Sequence, residues 1–220
     1  MILEIDNVEL NFGHKKILNG VYFRAETGTV TGLLGQNGCG KTSLLEIIFG
    51  ILKPKYKNIR IDTIHQKRDL YKTNKVAYLP QHQLLPNNTK IKTAFKLFKA
   101  NWSDFILRFN SFVRHKNSRV HEVSSGELRI IETYLILCSG KEIILLDEPF
   151  SFIAPLHIEK IKVLIEEKKH ISILIVTDHF YQDILDISNT IYFIKNSSSK
   201  LIRSRQDLEN EGYVNTEAIG

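Results

Sequence analysis

The chain of 220 residues contains only two cysteines, one tryptophan and no long apolar run. Cys39 and Cys138 offer neither a disulfide framework nor the ligand spacing of a zinc site, which favours a reducing compartment. No apolar segment approaches the ~20 residues that a membrane-spanning helix needs. The first ten residues carry early acids and no apolar core behind a basic end, so we expect no signal peptide. The sequence therefore predicts a cytosolic protein, and any role at a membrane would need a partner.

The composition is typical of a globular protein, with 43% hydrophobic and 25% charged residues. The length suits one domain with a substantial apolar interior, or one core with a small insertion. A formal net charge of +6 allows an anionic partner, whether a nucleotide, a membrane surface or a nucleic acid. Charge alone does not choose among these partners.

The segment GLLGQNGCGKTSLLEIIFG, residues 32–50, contains the pattern GxxxxGK[ST] of a loop that wraps nucleotide phosphates. Lys41 would place positive charge on the β- and γ-phosphates, the Thr42 hydroxyl can bind magnesium, and Ser43 can add a donor. Glycines let backbone N–H groups approach phosphate oxygens, and those of the loop are Gly35, Gly38 and Gly40. An apolar β-rich run precedes the loop and an apolar helical pattern follows it, so a helix N-terminus is expected under the phosphates.

Apolar runs typical of buried strands recur along the chain, at 76–80, 142–149, 172–179 and 190–195. Between the second and third runs, residues 155–170 predict a helix with one apolar stripe formed by Leu156, Ile158, Ile161, Leu164 and Ile165. Strands that alternate with helices predict an α/β fold with a mainly parallel sheet. The tract KNSSSK, residues 195–200, is predicted to be a turn.

The segment at about 86–138 differs from the rest because it is rich in lysine and phenylalanine and shows helical spacing without a strong strand signal. We interpret it as a helical insertion in the α/β core. Its basic residues, which indicate either a solvated face or a docking or nucleic-acid surface, include Lys90, Lys92, Lys96, Lys99, Arg108 and Arg114.

In the segment IILLDEP, residues 143–149, two acids follow directly after an apolar strand. Ligands of open parallel sheets bind at the carboxyl ends of the strands, where Asp147 is expected to anchor magnesium. Glu148 is the better candidate to activate or orient water, because a carboxylate near the γ-phosphate can accept its proton. His179 ends the next strand-like run and could hold the γ-phosphate and help to place the water.

Together these residues resemble the ATP-binding subunit of an ABC transporter, and the likeness runs from about residue 2 to residue 201. The tetrapeptide YLPQ resembles the Q-loop of that family, which puts Gln81 near the magnesium ion and at the contact with the membrane partner. VSSGE, residues 123–127, resembles the signature LSGGQ. Phe12 resembles the aromatic residue that stacks on adenine, and His179 resembles the switch histidine.

The resemblance implies a P-loop NTPase core with a mainly parallel sheet, an N-terminal β-rich portion and an inserted helical subdomain, all in one domain over residues 1–220. It implies ATP and Mg²⁺ as ligands, with Thr42, Gln81 and Asp147 at the metal and Glu148 and His179 in catalysis. Besides Phe12 and Gln81, the implied ATP-binding residues are Gly35, Gln36, Asn37, Gly38, Cys39, Gly40, Lys41, Thr42 and Ser43.

In this family two subunits sandwich two ATP molecules and drive a separate transmembrane permease from the cytoplasmic face. The resemblance therefore implies that Ser124, Gly126 and Glu127 act in trans, on ATP bound by a second copy or a related ATPase subunit. A helix N-terminus near the signature would supply free N–H donors for that phosphate.

Three positions depart from the family pattern. Ser125 replaces the first signature glycine, Glu127 replaces the usual glutamine, and Ala154 replaces the aspartate of the D-loop. That aspartate helps to position the two sites, so the rate and coupling of hydrolysis stay open. A weakly hydrolysing regulatory subunit is one alternative. A soluble ATPase acting on ribosomes or nucleic acid is another, although relatives in translation carry two nucleotide modules and nucleic acid is not the expected partner.

Overall fold

The computed structural model describes residues 1–213, so residues 214–220 of the predicted single domain lie outside the described part. The strands are β1 (Ile2–Phe12), β2 (Lys15–Glu26), β3 (Val30–Gly35), β4 (Tyr56–Ile61), β5 (Ile64–His65), β6 (Val76–Leu79), β7 (Ile143–Asp147), β8 (Ile173–Thr177), β9 (Thr190–Lys195) and β10 (Ser198–Ile202). The α-helices are α1 (Lys41–Phe49), α2 (Ile91–Leu97), α3 (Trp102–Arg108), α4 (Ser125–Leu137), α5 (Pro155–Lys168), α6 (Tyr181–Ile187) and α7 (Arg205–Asn210). Short 3₁₀ helices cover Leu70–Thr73, Asn110–Asn117 and Val120–Glu122.

A six-stranded sheet with the order β10-β9-β3-β8-β7-β6 forms the centre of the molecule. The strands from β9 to β6 run parallel, and β10 is antiparallel to β9. Alternate residues of β7 enter different core clusters, Ile143 and Leu145 on one face and Ile144 and Leu146 on the other. Because both faces are buried, the strands are continuous apolar runs. The predicted mainly parallel sheet is confirmed, and all four predicted runs contribute a strand to it.

A second, antiparallel sheet has the order β2-β1-β4-β5 and corresponds to the predicted N-terminal β-rich portion. In β1 the buried residues Leu3, Ile5, Val8 and Leu10 are separated by more exposed ones. Such alternation is typical of a sheet with one face on the core. The buried face packs in one cluster with α1 and with one side of the parallel sheet, so the phosphate loop lies next to both sheets.

Helix α5 buries Ile158, Ile161, Leu164 and Ile165, as its apolar stripe predicts. The inclusion of Leu156 in that stripe is wrong, since Leu156 is 70% exposed. It precedes Ile158 by two residues, which is about 200° around a helix of 3.6 residues per turn.

The predicted turn at 195–200 is shorter than expected. The positive φ angles of 51° and 65° fall at Asn196 and Ser197. Ser198 already pairs with Lys195 as the first residue of β10, so the remaining polar residues belong to an edge strand.

Between β6 and β7 the described chain forms α2, α3, α4 and two 3₁₀ helices. Aromatic side chains pack around Phe105, which is fully buried. Its ring centroid lies 4.9–5.5 Å from those of Phe95, Trp102, Phe109, Phe112 and Tyr134. Edge-to-face and tilted rings at such distances stabilise one another beyond their area burial. The phenylalanines of this segment therefore form its core, while Lys90, Lys92, Lys96 and Lys99 are exposed.

Candidate active site

The loop between β3 and α1 leads directly into the helix. Gly40 caps α1 in the left-handed region with φ 107°, and a Cβ there would lie 2.8 Å from the Cδ2 atom of Leu18. Glycine is therefore required at this position. The buried Lys41 Nζ donates hydrogen bonds to the carbonyl oxygens of Gly35 (2.7 Å) and Gln36 (3.3 Å). The Lys41 ammonium group thus lies at the loop, where it could exchange carbonyl oxygens for phosphate oxygens.

A cavity of about 450 Å³ opens against this loop, a volume in the range of small-molecule sites. Its lining comes from several separate parts of the chain and consists of Phe12, Ile17, Asn37, Gly38, Gly40, Lys41, Thr42, Ser43, Gln81, Glu148 and His179. All of these except Ile17 are predicted site residues. Phe12 is 52% exposed, so its ring offers an accessible apolar face to a ligand.

The other predicted loop residues belong to the same turn. Gln36 supplies a carbonyl to Lys41. A Cβ on Gly35 would lie 2.6 Å from the Sγ atom of Cys39, so this thiol packs back against the start of the loop. Burial raises the pKa of the Cys39 thiol, which makes it a poor nucleophile.

Asp147 ends β7 and is 1% exposed. Burial raises the pKa of Asp147 to about 6. The Thr42 hydroxyl lowers this pKa, and the nearby charge of Glu148 raises it further. The Tyr78 hydroxyl donates to the Oδ2 atom of Asp147 at 3.2 Å. The Asp147 carboxylate and the Thr42 hydroxyl, at the ends of β7 and of the phosphate loop, are hard oxygen donors, the type that Mg²⁺ prefers. The residues present thus fit a magnesium ion.

Glu148 follows Asp147 and has a left-handed backbone, with φ 57°. Its Oε1 accepts a hydrogen bond from Gln81 Nε2 at 2.7 Å and lies 2.7 Å from His179 Nε2. Its Oε2 accepts from the Ser151 hydroxyl at 3.2 Å. Left-handed non-glycine residues persist where their surroundings fix them and concentrate at functional sites. The structure therefore brings together Gln81, Glu148 and His179, three residues that lie far apart in the sequence.

The signature residues lie at the start of α4. They are not among the residues that line the described cavity. Ser124 caps α4 and its hydroxyl donates to Glu127 Oε2 at 2.7 Å. The Oε1 atom of Glu127 is 2.9 Å from Arg114 Nη2 and 3.1 Å from His115 Nε2. Burial opposes ionisation of Glu127, but the hydrogen bonds from Ser124, Arg114 and His115 prevail and lower its pKa to about 2. The acid that replaces the expected glutamine is therefore ionised and paired.

The family model described as ABC transporter matches residues 18–151. The chain belongs to the ABC transporter family. As a member of that family it is an ATP-binding subunit with ATPase activity.

Two relatives within the family illustrate the similarity. An uncharacterized ABC transporter ATP-binding protein of Methanocaldococcus jannaschii is 24% identical over 204 residues, which are 88% of this chain and 74% of that protein. The zinc import ATP-binding protein ZnuC of Rickettsia bellii is 31% identical over 154 residues, 67% of this chain and 62% of its own length. This chain thus spans only about two thirds of ZnuC.

The fold is also shared with solved structures. An ATP-binding subunit of an ABC transporter aligns with a TM-score of 0.79 over 97% of this chain and 94% of that one, at 18% identity. Within residues 1–213, no helix is both long and apolar enough to cross a membrane.

The D-loop of this ABC family member differs from the family pattern in a visible way. Ala154 is the N-cap of α5 and contributes no side-chain hydrogen bond. Phe152, two residues earlier, is 83% exposed and has φ 64°. A Cβ on Gly126 would collide with the Phe152 carbonyl oxygen, so the signature helix and the D-loop touch directly through a glycine.

Several residues near the site escaped the sequence analysis. Ile17 and Tyr78 belong to ordinary apolar patterns, which do not distinguish a cavity wall from a core. Ser151 lies in a loop. Arg129 and Glu132 carry a detectable signal, because they are two charges three residues apart in a helix that is otherwise largely apolar.

Proposed function

We propose that this subunit binds MgATP in the cavity against the phosphate loop, hydrolyses it, and drives a separate transmembrane permease after pairing with a second ATPase subunit. The observation that supports this most strongly is that Lys41, Thr42 and Glu148 line one cavity, and that Asp147 directly precedes Glu148 at the end of β7. A cation, two candidate metal ligands and a candidate base thus come from separate parts of the chain to one place. A nucleotide-binding role alone would not require the base.

Each residue has a distinct part in the proposed reaction. Backbone N–H groups of residues 36–40 and the Lys41 ammonium group bind the phosphates. Thr42 and Asp147 hold magnesium, with Gln81 beside them, and the ion when bound neutralises charge that develops on the phosphates. Phe12 stacks on the adenine.

Glu148 accepts a proton from the attacking water. At the same time the water oxygen bonds to the γ-phosphorus, and the bond between this phosphorus and the β-γ bridging oxygen breaks. In the described conformation Oε1 of Glu148 has two partners, Gln81 and His179, so one of these contacts must give way if the water is to approach this oxygen. His179 is well placed to do this, because its side chain is 42% exposed and can turn toward the γ-phosphate.

Pairing with a second copy, or with a related ATPase subunit, would complete the site. Ser124, Gly126 and Glu127 would then contact the γ-phosphate held by the other subunit. The N-terminus of α4 supplies a helix dipole and N–H donors for that phosphate. The Ser124 hydroxyl donates a hydrogen bond to Glu127 Oε2. It must rotate away from Glu127 to reach a phosphate, so this rotation would be part of the closure of the two subunits.

The proposed permease places the subunit on the cytoplasmic face of a membrane, held there through its partner. The exposed lysines of the helical segment fit a solvated face, and nucleic acid is not the proposed partner. A second candidate function, a weakly hydrolysing regulatory subunit, is favoured by Ala154, which gives the D-loop no side-chain capping hydrogen bond at the N-terminus of α5.

The experiment uses Glu148→Gln in the full chain. The amide keeps the shape of the side chain and cannot accept the proton, so hydrolysis should fall by about 10²- to 10⁴-fold while MgATP binding persists. Size-exclusion chromatography with light scattering should then show a dimer that depends on MgATP. Glu142→Gln is the matched control, since Glu142 makes only an exposed ion pair with Lys75.

Undiminished hydrolysis by Glu148→Gln would remove Glu148 from the mechanism. A monomer at micromolar concentration in MgATP would reject the trapped dimer. Hydrolysis by the unaltered chain that is negligible alone and restored by a related subunit would favour the regulatory alternative.

A further inference from the structure

Helix α4 carries two buried charged side chains one turn apart. Arg129 is 6% exposed and Glu132 is 1% exposed. Charged groups are almost never buried this far without partners, because desolvation costs several kcal/mol. The closest atoms of the pair, Nη1 of Arg129 and Oε2 of Glu132, are 4.0 Å apart. This distance leaves both groups free to bind other atoms.

Arg129 donates to three backbone carbonyls from two separate parts of the chain. Its Nη1 donates to Pro80 at 2.7 Å and its Nε donates to Glu148 at 3.1 Å, while its Nη2 donates to Asp147. Pro80 immediately precedes Gln81. One guanidinium group thus ties the start of the Gln81 loop to the backbone of both acids of the site. A planar fork of five donors suits this task, whereas a single ammonium group does not.

Glu132 holds the other end of the same loop. Its Oε1 accepts hydrogen bonds from the backbone N–H groups of Leu84 (2.9 Å) and Leu85 (2.8 Å). The loop from Pro80 to Leu85 is therefore fastened at both ends to residues three apart on α4. The contact to Leu85 is buried and those to Pro80 and Leu84 are partly buried, so they are stronger than the same hydrogen bonds in water.

The side chains between these contacts are those that meet at the cavity. Gln81 Nε2 donates to Glu148 Oε1 at 2.7 Å, and the backbone on both sides of this bond is attached to Arg129. The positive φ of Glu148 needs such support, as a strained conformation persists only where its neighbours fix it. Arg129 also lies on the helix that begins at the signature, and its first turn touches the D-loop at Gly126.

We propose that Arg129 and Glu132 are positioning residues, which hold the Gln81 and Glu148 side chains in register and connect this pair to the signature at the start of α4. This inference rests on the proposed function, because it assigns the Gln81 and Glu148 pair to ATP hydrolysis. Neither residue lines the described ATP cavity, so each acts through the backbone it holds. A movement of α4 on pairing with a second subunit would then shift both loops together.

The test measures turnover per bound nucleotide in the full chain. MgATP sites are counted by equilibrium binding, and the ATPase rate is divided by that count. Arg129→Lys keeps the charge and cannot span three carbonyls, so turnover per site should fall by about 10- to 100-fold, as for other small misplacements of a catalytic group. The Kd for MgATP should stay within about threefold. A purely structural role would lower the number of sites and leave turnover per site unchanged.

Two further comparisons accompany this variant. Arg108→Lys is the matched control, because Arg108 makes a bidentate pair with Glu167 near the surface and should keep its turnover. Glu132→Gln retains an acceptor oxygen for the N–H groups of Leu84 and Leu85, so its turnover per site should stay close to that of the unaltered chain. Glu132→Ala loses that oxygen, so its turnover per site should decrease, as in Arg129→Lys. If Arg129→Lys does not accumulate as folded protein, the two Glu132 variants decide the matter.

The inference is overturned if folded Arg129→Lys keeps the turnover of the unaltered chain, or if Gln and Ala at position 132 behave alike. Failure of the proposed function looks different, since the unaltered chain itself would then bind no MgATP or would not hydrolyse it. That result would also remove the inference.

Discussion

Replacing Asp147 with asparagine should make the protein more stable, although it removes a carboxylate that we propose to bind magnesium. Asp147 is almost fully buried, and burial raises its pKa from the ordinary value of 3.8 to about 6. The ionised side chain therefore opposes folding at neutral pH. Asparagine has the same shape, keeps an oxygen to accept the Tyr78 hydroxyl, and carries no charge to desolvate.

The size of the effect follows from the shift in pKa. One pKa unit corresponds to about 1.4 kcal/mol, so a rise from 3.8 to about 6 opposes folding by up to about 3 kcal/mol at pH 7. Because the Thr42 hydroxyl also donates to this carboxylate, asparagine gives up part of a charge-assisted bond. We therefore expect a gain of about 1–3 kcal/mol in the free energy of unfolding.

The sign of the pH dependence is set by which state binds the proton more tightly. The folded state does, so stability decreases as the pH rises from 3.8 toward 6, and the full penalty is present above that window. Asp147→Asn should gain most at about pH 7, and the gain should shrink as the pH falls toward and below 4, where the carboxyl becomes protonated in the unfolded state as well as in the folded state.

Urea unfolding at about pH 7 and about pH 4.5 measures the gain in unfolding free energy and its dependence on pH. EDTA is present so that no metal stabilises the folded state. Asp104→Asn, at an exposed position in the first turn of α3, should be neutral or slightly destabilising. Equal stability of Asp147→Asn and the unaltered chain at pH 7, or a gain that is the same at both pH values, would refute the account of this carboxylate.

Two other variants test the site and the core. Lys41→Ala should raise the Kd for MgATP by about 10- to 100-fold, because one or two charge-assisted hydrogen bonds to phosphate are lost; titration calorimetry measures this against Lys92→Ala, and an unchanged Kd would exclude Lys41 from the site. Phe105→Ala should cost about 3–5 kcal/mol of unfolding free energy, because it empties the centre of the aromatic cluster. Urea unfolding measures that cost against Leu107→Ala, which is 85% exposed, and a loss no larger than the control would mean that the cluster does not stabilise the segment.

Much of the fold was predictable because its signals are local. Parallel strands buried on both faces are continuous apolar runs, so β6 to β9 can be located directly. The phosphate loop is a contiguous pattern whose glycines follow from backbone geometry. Asp147 and Glu148 were accessible for a similar reason, since they directly follow a buried strand.

The remaining features depend on contacts between distant parts of the chain. The hydrogen bonds of Arg129 join residues up to 49 positions away, so the sequence shows its unusual charge in a largely apolar helix but not the carbonyl oxygens that it binds. The contact between Gln81 and Glu148, 67 positions apart, was not predicted, since the resemblance to the ABC family placed Gln81 only near the magnesium ion.

The central claim is that ATP binding by this subunit acts on a membrane permease. The most direct test is affinity purification of tagged Glu148→Gln from gently solubilised cells in MgATP, with identification of the proteins and nucleic acid that accompany it. The account predicts a membrane protein with several spans, in greater amount than with the unaltered chain without nucleotide. Ribosomes or nucleic acid that survive moderate salt, in the absence of any membrane protein, would contradict it.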